Sequence, residues 1–148
     1  MIIRKIDHRA PALMDQLLAV WESSVRATHD FLSESEILRI KGYVPQALTG
    51  VAALYGAFDN AGEPLAFMGA QDGVLEMLFV RADCRGQGIG RALAKQAVQD
   101  CGVREVTVNE QNPQARDFYE HLGFETYRRS ETDAAGDPYP ILYMRLNL

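Results

Sequence analysis

The sequence predicts a mixed α/β fold in which helices flank a central sheet. Two observations support this prediction. Some segments carry apolar residues at a helical period of about 3.6, whereas others are short apolar runs typical of strands. Turn and capping residues separate these segments, which follow one another in the order βααβββαβαββ. Because 148 residues are the usual size of one domain, we expect a single domain over residues 1–148.

The first three predicted elements are a strand and two helices. Residues 1–6 form an apolar-rich run typical of a strand, and apolar residues recur at helical spacing over residues 11–25. Ser33 and Glu36 then have the spacing of a capping box, a reciprocal pair of side-chain bonds to backbone N–H groups that starts a helix. Pro45 is expected to break this second helix or to restart it, because proline lacks a backbone N–H.

The middle of the chain predicts an antiparallel meander of three strands. Residues 51–59, 64–71 and 74–80 are apolar-rich runs, and a turn-forming segment separates the first run from the second. Asp72-Gly73 lies between the second and third runs and is a signal for a two-residue hairpin. We therefore expect these strands to pair in sequence order.

The last predicted elements are a helix, a strand, a second helix and two strands. The first of these helices carries apolar residues at every fourth position, namely Ile89, Leu93, Ala97 and Cys101. Residues 104–109 are the next strand. Asn112 is a good N-cap for the second helix, which Gly123 ends. Residues 125–132 and 139–146 complete the sheet.

Composition and charge exclude several classes of protein. Fifteen Lys and Arg residues against twenty Asp and Glu residues give a net charge of −5, whereas a nucleic-acid-binding protein needs a basic face. No signal peptide is recognisable, and no run approaches the roughly 18 apolar residues that span a membrane. Two cysteines make no disulfide framework or metal-ligand spacing. We expect a soluble cytoplasmic protein, monomeric or homodimeric, without metal, membrane or nucleic-acid partners.

A glycine-rich loop, Arg85-Gly86-Gln87-Gly88-Ile89-Gly90, lies between the third meander strand and the following helix. Glycine lets the backbone approach a ligand closely, and the free N–H groups of the helix start favour an anion. The loop is not a dinucleotide-binding fingerprint, because Arg91 stands where that pattern needs glycine. It is not a Walker loop either, since no Gly-Lys-[Ser/Thr] follows. The loop predicts phosphate binding, and a flexible turn is the alternative.

Two motifs in this order resemble the GNAT superfamily of N-acetyltransferases. Residues 75–90 (LEMLFVRADCRGQGIG) are similar to its acetyl-CoA signature, with the R-x-x-G-x-G element at Arg85, Gly88 and Gly90. Residues 112–124 resemble its N-x-x-A-x-x-x-Y-x-x-x-G-F helix and exit strand. The resemblance implies a mostly antiparallel sheet. It also implies direct acetyl transfer from acetyl-CoA to a primary amine of a small molecule, amino acid or peptide. A non-catalytic CoA-binding sensor or interaction module on the same fold is the alternative.

The resemblance also assigns residues to acetyl-CoA. The backbone N–H groups of residues 87–91 would hold the pyrophosphate, and the end of the preceding strand would pair with the pantetheine arm. The residues expected to contact acetyl-CoA are Leu78, Phe79, Val80, Arg85, Gly86, Gln87, Gly88, Ile89, Gly90, Arg91, Asn112, Ala115 and Tyr119.

Acetyl transfer to an amine requires a base and a proton donor for the leaving thiolate. Alkyl amines, with a pKa near ~10.4, are mostly protonated at neutral pH. Glu76 is the first candidate base, because strand alternation places it opposite Leu75, Met77 and Phe79 inside an apolar run. The alternative is that Glu76 lies at a solvated part of the sheet and has no catalytic role. Tyr119, at the family's general-acid position, is the candidate donor, and a core tyrosine is the alternative.

Loop residues are the candidates for binding the acceptor amine. His29 and Asp30 lie between the first two helices, a region that borders the acceptor site in this family. His29 would bind or deprotonate the amine, and Asp30 would attract its positive charge. Local capping and packing before the second helix are the alternative. The predicted acceptor-binding residues are His29, Asp30, Phe31, Asn109 and Tyr139.

Overall fold

The computed structural model describes residues 1–147, so the last residue of the predicted domain lies outside the described part. In chain order the elements are strand β1 (Ile2–Lys5), helices α1 (Pro11–Thr28), α2 (Glu34–Lys41) and α3 (Val44–Gly50), strands β2 (Ala53–Phe58), β3 (Pro64–Gln71) and β4 (Val74–Val80), helix α4 (Ile89–Cys101), strand β5 (Glu105–Asn109), helix α5 (Pro113–His121), and strands β6 (Phe124–Ser130) and β7 (Ile141–Leu146). A short 3₁₀ helix, Ala82–Cys84, precedes the glycine loop.

The strands form one sheet with the order β1-β2-β3-β4-β5-β7-β6. Neighbouring strands are antiparallel except β4 and β5, which are parallel. This confirms the predicted mixed, mostly antiparallel sheet and its meander. The parallel pairing is short, because it ends at Leu75 and Val106 although both strands continue. A gap therefore opens in the sheet between the carboxyl ends of β4 and β5.

Three helices, not two, lie between β1 and β2. Helix α2 ends at Lys41, and α3 begins at Val44 with Pro45 in its first turn, where its missing N–H is not needed. Pro45 therefore restarts the helix. Val44 and Leu48 of α3 are buried, and this apolar burial stabilises the short helix. The observed order is βαααβββαβαββ.

Each face of the sheet has its own apolar core. Along β3 the side chains alternate, so that Phe67 packs on the face covered by α1, whereas Ala66 and Met68 pack on the face covered by α4. Helices α2 and α3 pack against α1. The helices thus hold β4, the glycine loop and the start of α5 in place around the gap. Within residues 1–147, no helix is long and apolar enough to cross a bilayer.

Candidate functional site

The glycine loop between β4 and α4 has a backbone conformation that favours glycine. The φ angles of Gly86 and Gly88 are +77° and +81°, in the left-handed region that side chains disfavour. A Cβ atom at either position would meet no atom within 4 Å, so conformation rather than crowding requires glycine there. Gly90 lies inside α4, and a Cβ atom added there would make ordinary van der Waals contacts with Val80 at 3.4 Å and Phe118 at 3.6 Å. Its presence is therefore not required by the backbone.

The first turn of α4 presents free backbone N–H groups. No side chain caps this helix, and its first backbone bond runs from the Ala92 N–H to the Gly88 carbonyl. The N–H groups of Ile89, Gly90 and Arg91 therefore have no intrahelical partner. Together with the positive end of the helix dipole, they form a place where an anion is stabilised.

A pocket lies where β4 and β5 diverge. Its lining residues come from the end of α1, the end of β4, the glycine loop and α5, and they are Ser24, Thr28, His29, Leu78, Phe79, Val80, Arg85, Gly90, Asn112, Gln114, Ala115, Phe118 and Tyr119. A neighbouring depression around Gly86, Gly88 and Arg91 shares Val80 and Phe118 with this pocket. The two cavities are therefore contiguous, and they connect the free N–H groups of α4 to the gap in the sheet.

Tyr119 presents its hydroxyl to the pocket while its ring is buried. The ring packs edge-on against Phe118 and Phe124, with centroids 5.0 and 5.7 Å away. The hydroxyl has no hydrogen-bond partner among residues 1–147, yet this part of the chain contains no sealed, unpaired polar atom. The hydroxyl is therefore not sealed in the core, although the residue as a whole is buried. Burial raises the pKa of Tyr119 well above its ordinary value, so the phenol keeps its proton at neutral pH.

His29 lies directly after α1 and lines the same pocket. Its Nδ1 atom is 2.7 Å from the Thr28 hydroxyl, which also lies 2.9 Å from the Ser24 carbonyl. Burial lowers the pKa of His29, and the negative charge of Asp30 opposes this effect. The imidazole is therefore held neutral near pH 7 beside the gap.

A chain of aromatic contacts connects His29 to the β6–β7 loop. The Phe31 ring lies between the rings of His29 and Tyr139, with centroid distances of 5.3 and 6.1 Å. The Tyr139 hydroxyl donates to Glu36 at 2.6 Å. Arg39 donates to Glu36 within α2 and also to Asp137 at 3.0 Å, so the β6–β7 loop is tied to α2. Phe31 and Tyr139 support His29 and do not themselves line the pocket.

Glu36 has a different role from the one its spacing predicts. The Ser33 hydroxyl accepts the backbone N–H of Glu36 at 3.2 Å, as a capping box requires. The Glu36 carboxylate, however, bonds Arg39 and Tyr139 instead of returning to the Ser33 backbone. Only half of the predicted capping box forms, because the carboxylate is taken by the charged Arg39 guanidinium and the Tyr139 hydroxyl.

Glu76 is not where strand alternation places it. The register of β3 and β4 shifts by one residue at Glu76, which is the extra residue of a β-bulge. The bulge puts Leu75 in the core beneath α4, whereas Met77 and Phe79 pack in the core beneath α1, so the prediction that Leu75 shares their face is wrong. Glu76 and Met77 line a separate depression beside the end of α3, not the Tyr119 pocket. Desolvation and Asp72 raise the pKa of Glu76. Its role as a base stays a prediction.

The chain matches a protein-family model over more than half of its length. The family model described as an acetyltransferase (GNAT) domain matches residues 46–147. The chain belongs to the GNAT acetyltransferase family. It is accordingly an acyltransferase, as its two motifs imply.

Named relatives agree with this family. The peptidyl-lysine N-acetyltransferase YjaB of Salmonella typhimurium is 41% identical over 128 residues, covering 86% of this chain and 88% of that protein. The solution structure of apo YjaB from Escherichia coli has a TM-score of 0.83 at 35% identity, covering 98% of this chain and 97% of that one. The crystal structure of the PaiA N-acetyltransferase of Thermoplasma acidophilum, in complex with coenzyme A, has a TM-score of 0.65 at 18% identity, covering 98% and 99% of the two chains. At that identity PaiA shows the fold only.

Most residues that the GNAT resemblance assigns to acetyl-CoA lie around the two connected cavities. Those lining the pocket are Leu78, Phe79, Val80, Arg85, Gly90, Asn112, Ala115 and Tyr119. Gly86, Gly88, Ile89 and Arg91 line the neighbouring depression, whereas Gln87 lines neither. Arg85 also donates to Gln114 at 2.6 Å and so links the glycine loop to α5. Asn112 caps α5 by accepting the Ala115 N–H at 3.2 Å, which confirms its predicted N-cap role.

The predicted acceptor residues are only partly brought together in this GNAT fold. His29 lines the pocket, whereas Asp30 is exposed beside it. Asn109 ends β5, where its side chain accepts the Gln111 N–H at 3.1 Å and closes a turn. Several lining residues were not predicted from the sequence as site residues, namely Ser24, Thr28, Gln114 and Phe118. Thr28 stands next to His29 in the chain, which was the one local signal for it. Residues 1–147 contain no cluster of three metal-ligating side chains.

Proposed function

We propose that the protein transfers the acetyl group of acetyl-CoA to the side-chain amine of a peptidyl lysine. The observation that carries the proposal is the continuous cavity from the free N–H groups of α4 to the Tyr119 hydroxyl at the gap in the sheet. The names of its relatives, which are peptidyl-lysine N-acetyltransferases, support a lysine acceptor.

The cavity suits the two ends of acetyl-CoA chemically. The diphosphate would be stabilised by the N–H groups of Ile89, Gly90 and Arg91 at the positive end of α4. The amides of the pantetheine arm would pair with the edge of β4 that has no partner on β5 within the described residues. PaiA, which has the same fold, was solved in complex with coenzyme A, and this supports coenzyme A as the ligand of the cavity.

The reaction joins the amine nitrogen to the thioester carbon. The nitrogen lone pair attacks the carbonyl carbon, the carbon–sulfur bond breaks, and its electron pair leaves on sulfur. The nitrogen loses a proton and the sulfur gains one, so the products are an amide and free CoA. Tyr119, which stays protonated at neutral pH, would donate a hydrogen bond to the sulfur as its negative charge develops.

Calorimetry with acetyl-CoA and with ADP as the control ligand tests the first half of this proposal. We expect near-stoichiometric binding of acetyl-CoA that ADP does not match. Mass spectrometry of lysine-containing peptides then tests transfer, with the same peptides carrying arginine in place of lysine as the matched control. Binding without transfer to any lysine peptide would favour a CoA-binding sensor, and absence of binding would contradict the proposal altogether.

A further inference from the structure

The hydrogen bonds of Thr28 determine which nitrogen of His29 carries the proton. The Thr28 hydroxyl has a single hydrogen, and the Ser24 carbonyl at 2.9 Å can only accept it. The hydroxyl oxygen must therefore act as an acceptor towards His29 Nδ1 at 2.7 Å. A neutral imidazole has one N–H group, so Nδ1 carries it and Nε2 keeps a lone pair.

The lone pair on His29 Nε2 is available to a ligand. No group within residues 1–147 donates to Nε2, and this part of the chain has no sealed polar atom without a partner. Nε2 is therefore accessible, and His29 lines the pocket that Tyr119 also lines. Phe31 packs on the imidazole at 5.3 Å and is itself held by Tyr139, so the ring has little freedom to turn.

We infer that His29 is the general base of the acetyl transfer and that Thr28 is a positioning residue that keeps Nε2 unprotonated. The inference deepens the proposed function and rests on it. As the amine nitrogen bonds to the thioester carbon, Nε2 takes the proton that this nitrogen loses. The resulting imidazolium would still donate from Nδ1 to Thr28, so the hydroxyl network need not rearrange.

The charges around His29 suit this role. Asp30 lies on its own segment, Arg85 and Tyr119 line the same pocket, and Glu36 lies behind Tyr139. Burial outweighs Asp30 and lowers the pKa of His29, so the base is in its active form at neutral pH. A weak base is sufficient, because the nitrogen becomes far more acidic once it bonds to the carbonyl carbon. Desolvation in the partly apolar pocket also lowers the pKa of the incoming ammonium group.

Substitution of the base and of its positioning residue tests the inference. We expect His29→Gln to reduce kcat by about 10²–10⁴-fold, the usual contribution of a general base, with unchanged acetyl-CoA binding. His121→Gln is the matched control, because His121 is exposed and bonds only the Asp117 carbonyl within the described chain. In the parent protein kcat/KM should fall at acidic pH, below the ordinary histidine value of 6.5, and this fall should be absent in His29→Gln.

Thr28→Val removes the acceptor of Nδ1 without changing the size of the side chain. We expect a fall in kcat of roughly tenfold, equivalent to the loss of one hydrogen bond that orients a charged group. Thr28→Ser, which keeps the hydroxyl, should restore kcat. Thr49→Val is the control for losing a helical threonine, because its hydroxyl bonds the Pro45 carbonyl at the exposed end of α3.

Nitrogen-15 NMR of the histidine rings provides a readout besides activity. We expect His29 in the parent protein to be protonated at Nδ1 and unprotonated at Nε2, and Thr28→Val to shift the proton towards Nε2. The signals of His29 are identified by their loss in His29→Gln. A parent protein protonated at Nε2 would overturn the inference.

The outcomes separate this inference from the proposed function. If the parent protein transfers no acetyl group, the proposed function fails together with the assignment of a base. If the parent protein is active and His29→Gln keeps its kcat, only the inference fails. Loss of turnover in Glu76→Gln with normal turnover in His29→Gln would assign the base to Glu76 instead.

Discussion

Replacing Tyr119 with phenylalanine should separate catalysis from stability. The change removes one hydroxyl and keeps the ring, which packs edge-on against Phe118 and Phe124. Because the hydroxyl has no hydrogen-bond partner within residues 1–147, no internal bond is lost. We expect the free energy of unfolding to change by less than about 1 kcal/mol. Tyr119→Ala, in contrast, would remove the ring and cost about 3–5 kcal/mol.

The effect of Tyr119→Phe on the reaction should be much larger. A positioned proton donor contributes about 10²–10⁴-fold, which corresponds to about 2.7–5.4 kcal/mol of transition-state stabilisation. The assay is the initial rate of CoA thiol release with a saturating lysine peptide. Calorimetry of acetyl-CoA and urea unfolding of the same variant accompany it. We expect kcat to fall while acetyl-CoA affinity and stability are preserved.

The matched control for this substitution is Tyr127→Phe. The Tyr127 hydroxyl donates to Glu105 at 3.1 Å at an exposed position and does not line the pocket. Its loss should leave kcat unchanged. A Tyr119→Phe variant with kcat within twofold of the parent protein would refute the donor role, and Tyr119 would then be a core tyrosine only.

Three further predictions concern the glycine loop, the core beneath α4 and the contact between α2 and the β6–β7 loop. Gly88→Ala forces alanine to a φ of +81°, which costs about 1–2 kcal/mol, so the variant should have a lower Tm and a lower acetyl-CoA affinity. Gly50→Ala is the control, because Gly50 lies at an uncrowded helix end, and it should lower neither quantity. Leu93→Ala, at a fully buried site of α4, should reduce the free energy of unfolding in urea by about 2–5 kcal/mol. Arg39, then Tyr139, lowers the pKa of Glu36 from 4.5 to about 2, so this carboxylate stabilises the fold above pH 4.5 and loses that effect as the pH falls towards 2. Arg39→Gln should flatten the dependence of stability on pH in that window, and an unchanged curve would contradict the assignment.

Elements with their own start and stop residues were predictable from the sequence. Asn112 caps α5 as its position before a proline predicts, and Ser33 caps α2. The fate of Pro45 was not predictable, because a proline both ends one helix and suits the first turn of another. Whether α3 forms depends on the burial of Val44 and Leu48, and the core that buries them is formed by residues distant in the sequence.

The positions of the predicted site residues could be predicted from the sequence to different degrees. The glycine loop and Tyr119 lie in short local motifs, so their elements follow from neighbouring residues. The position of Glu76 did not follow, because alternation is a property of one strand and a bulge is a property of two paired strands. The bond between Tyr139 and Glu36 joins residues 103 positions apart, a separation over which the sequence carries no pairing signal.

The sequence by itself determined the order of most elements, the glycine loop and the family, because helical period, caps and motifs are local properties of the chain. Only the tertiary structure decided which side chains share a pocket. It separated Glu76 from Tyr119 and brought His29 to the same cavity as Tyr119. The physical reason is that the pocket lies in a gap where β4 and β5 part, and its walls come from α1 and α5, which are far apart in the chain. Packing on the two faces of the sheet, rather than any local preference, sets those distances.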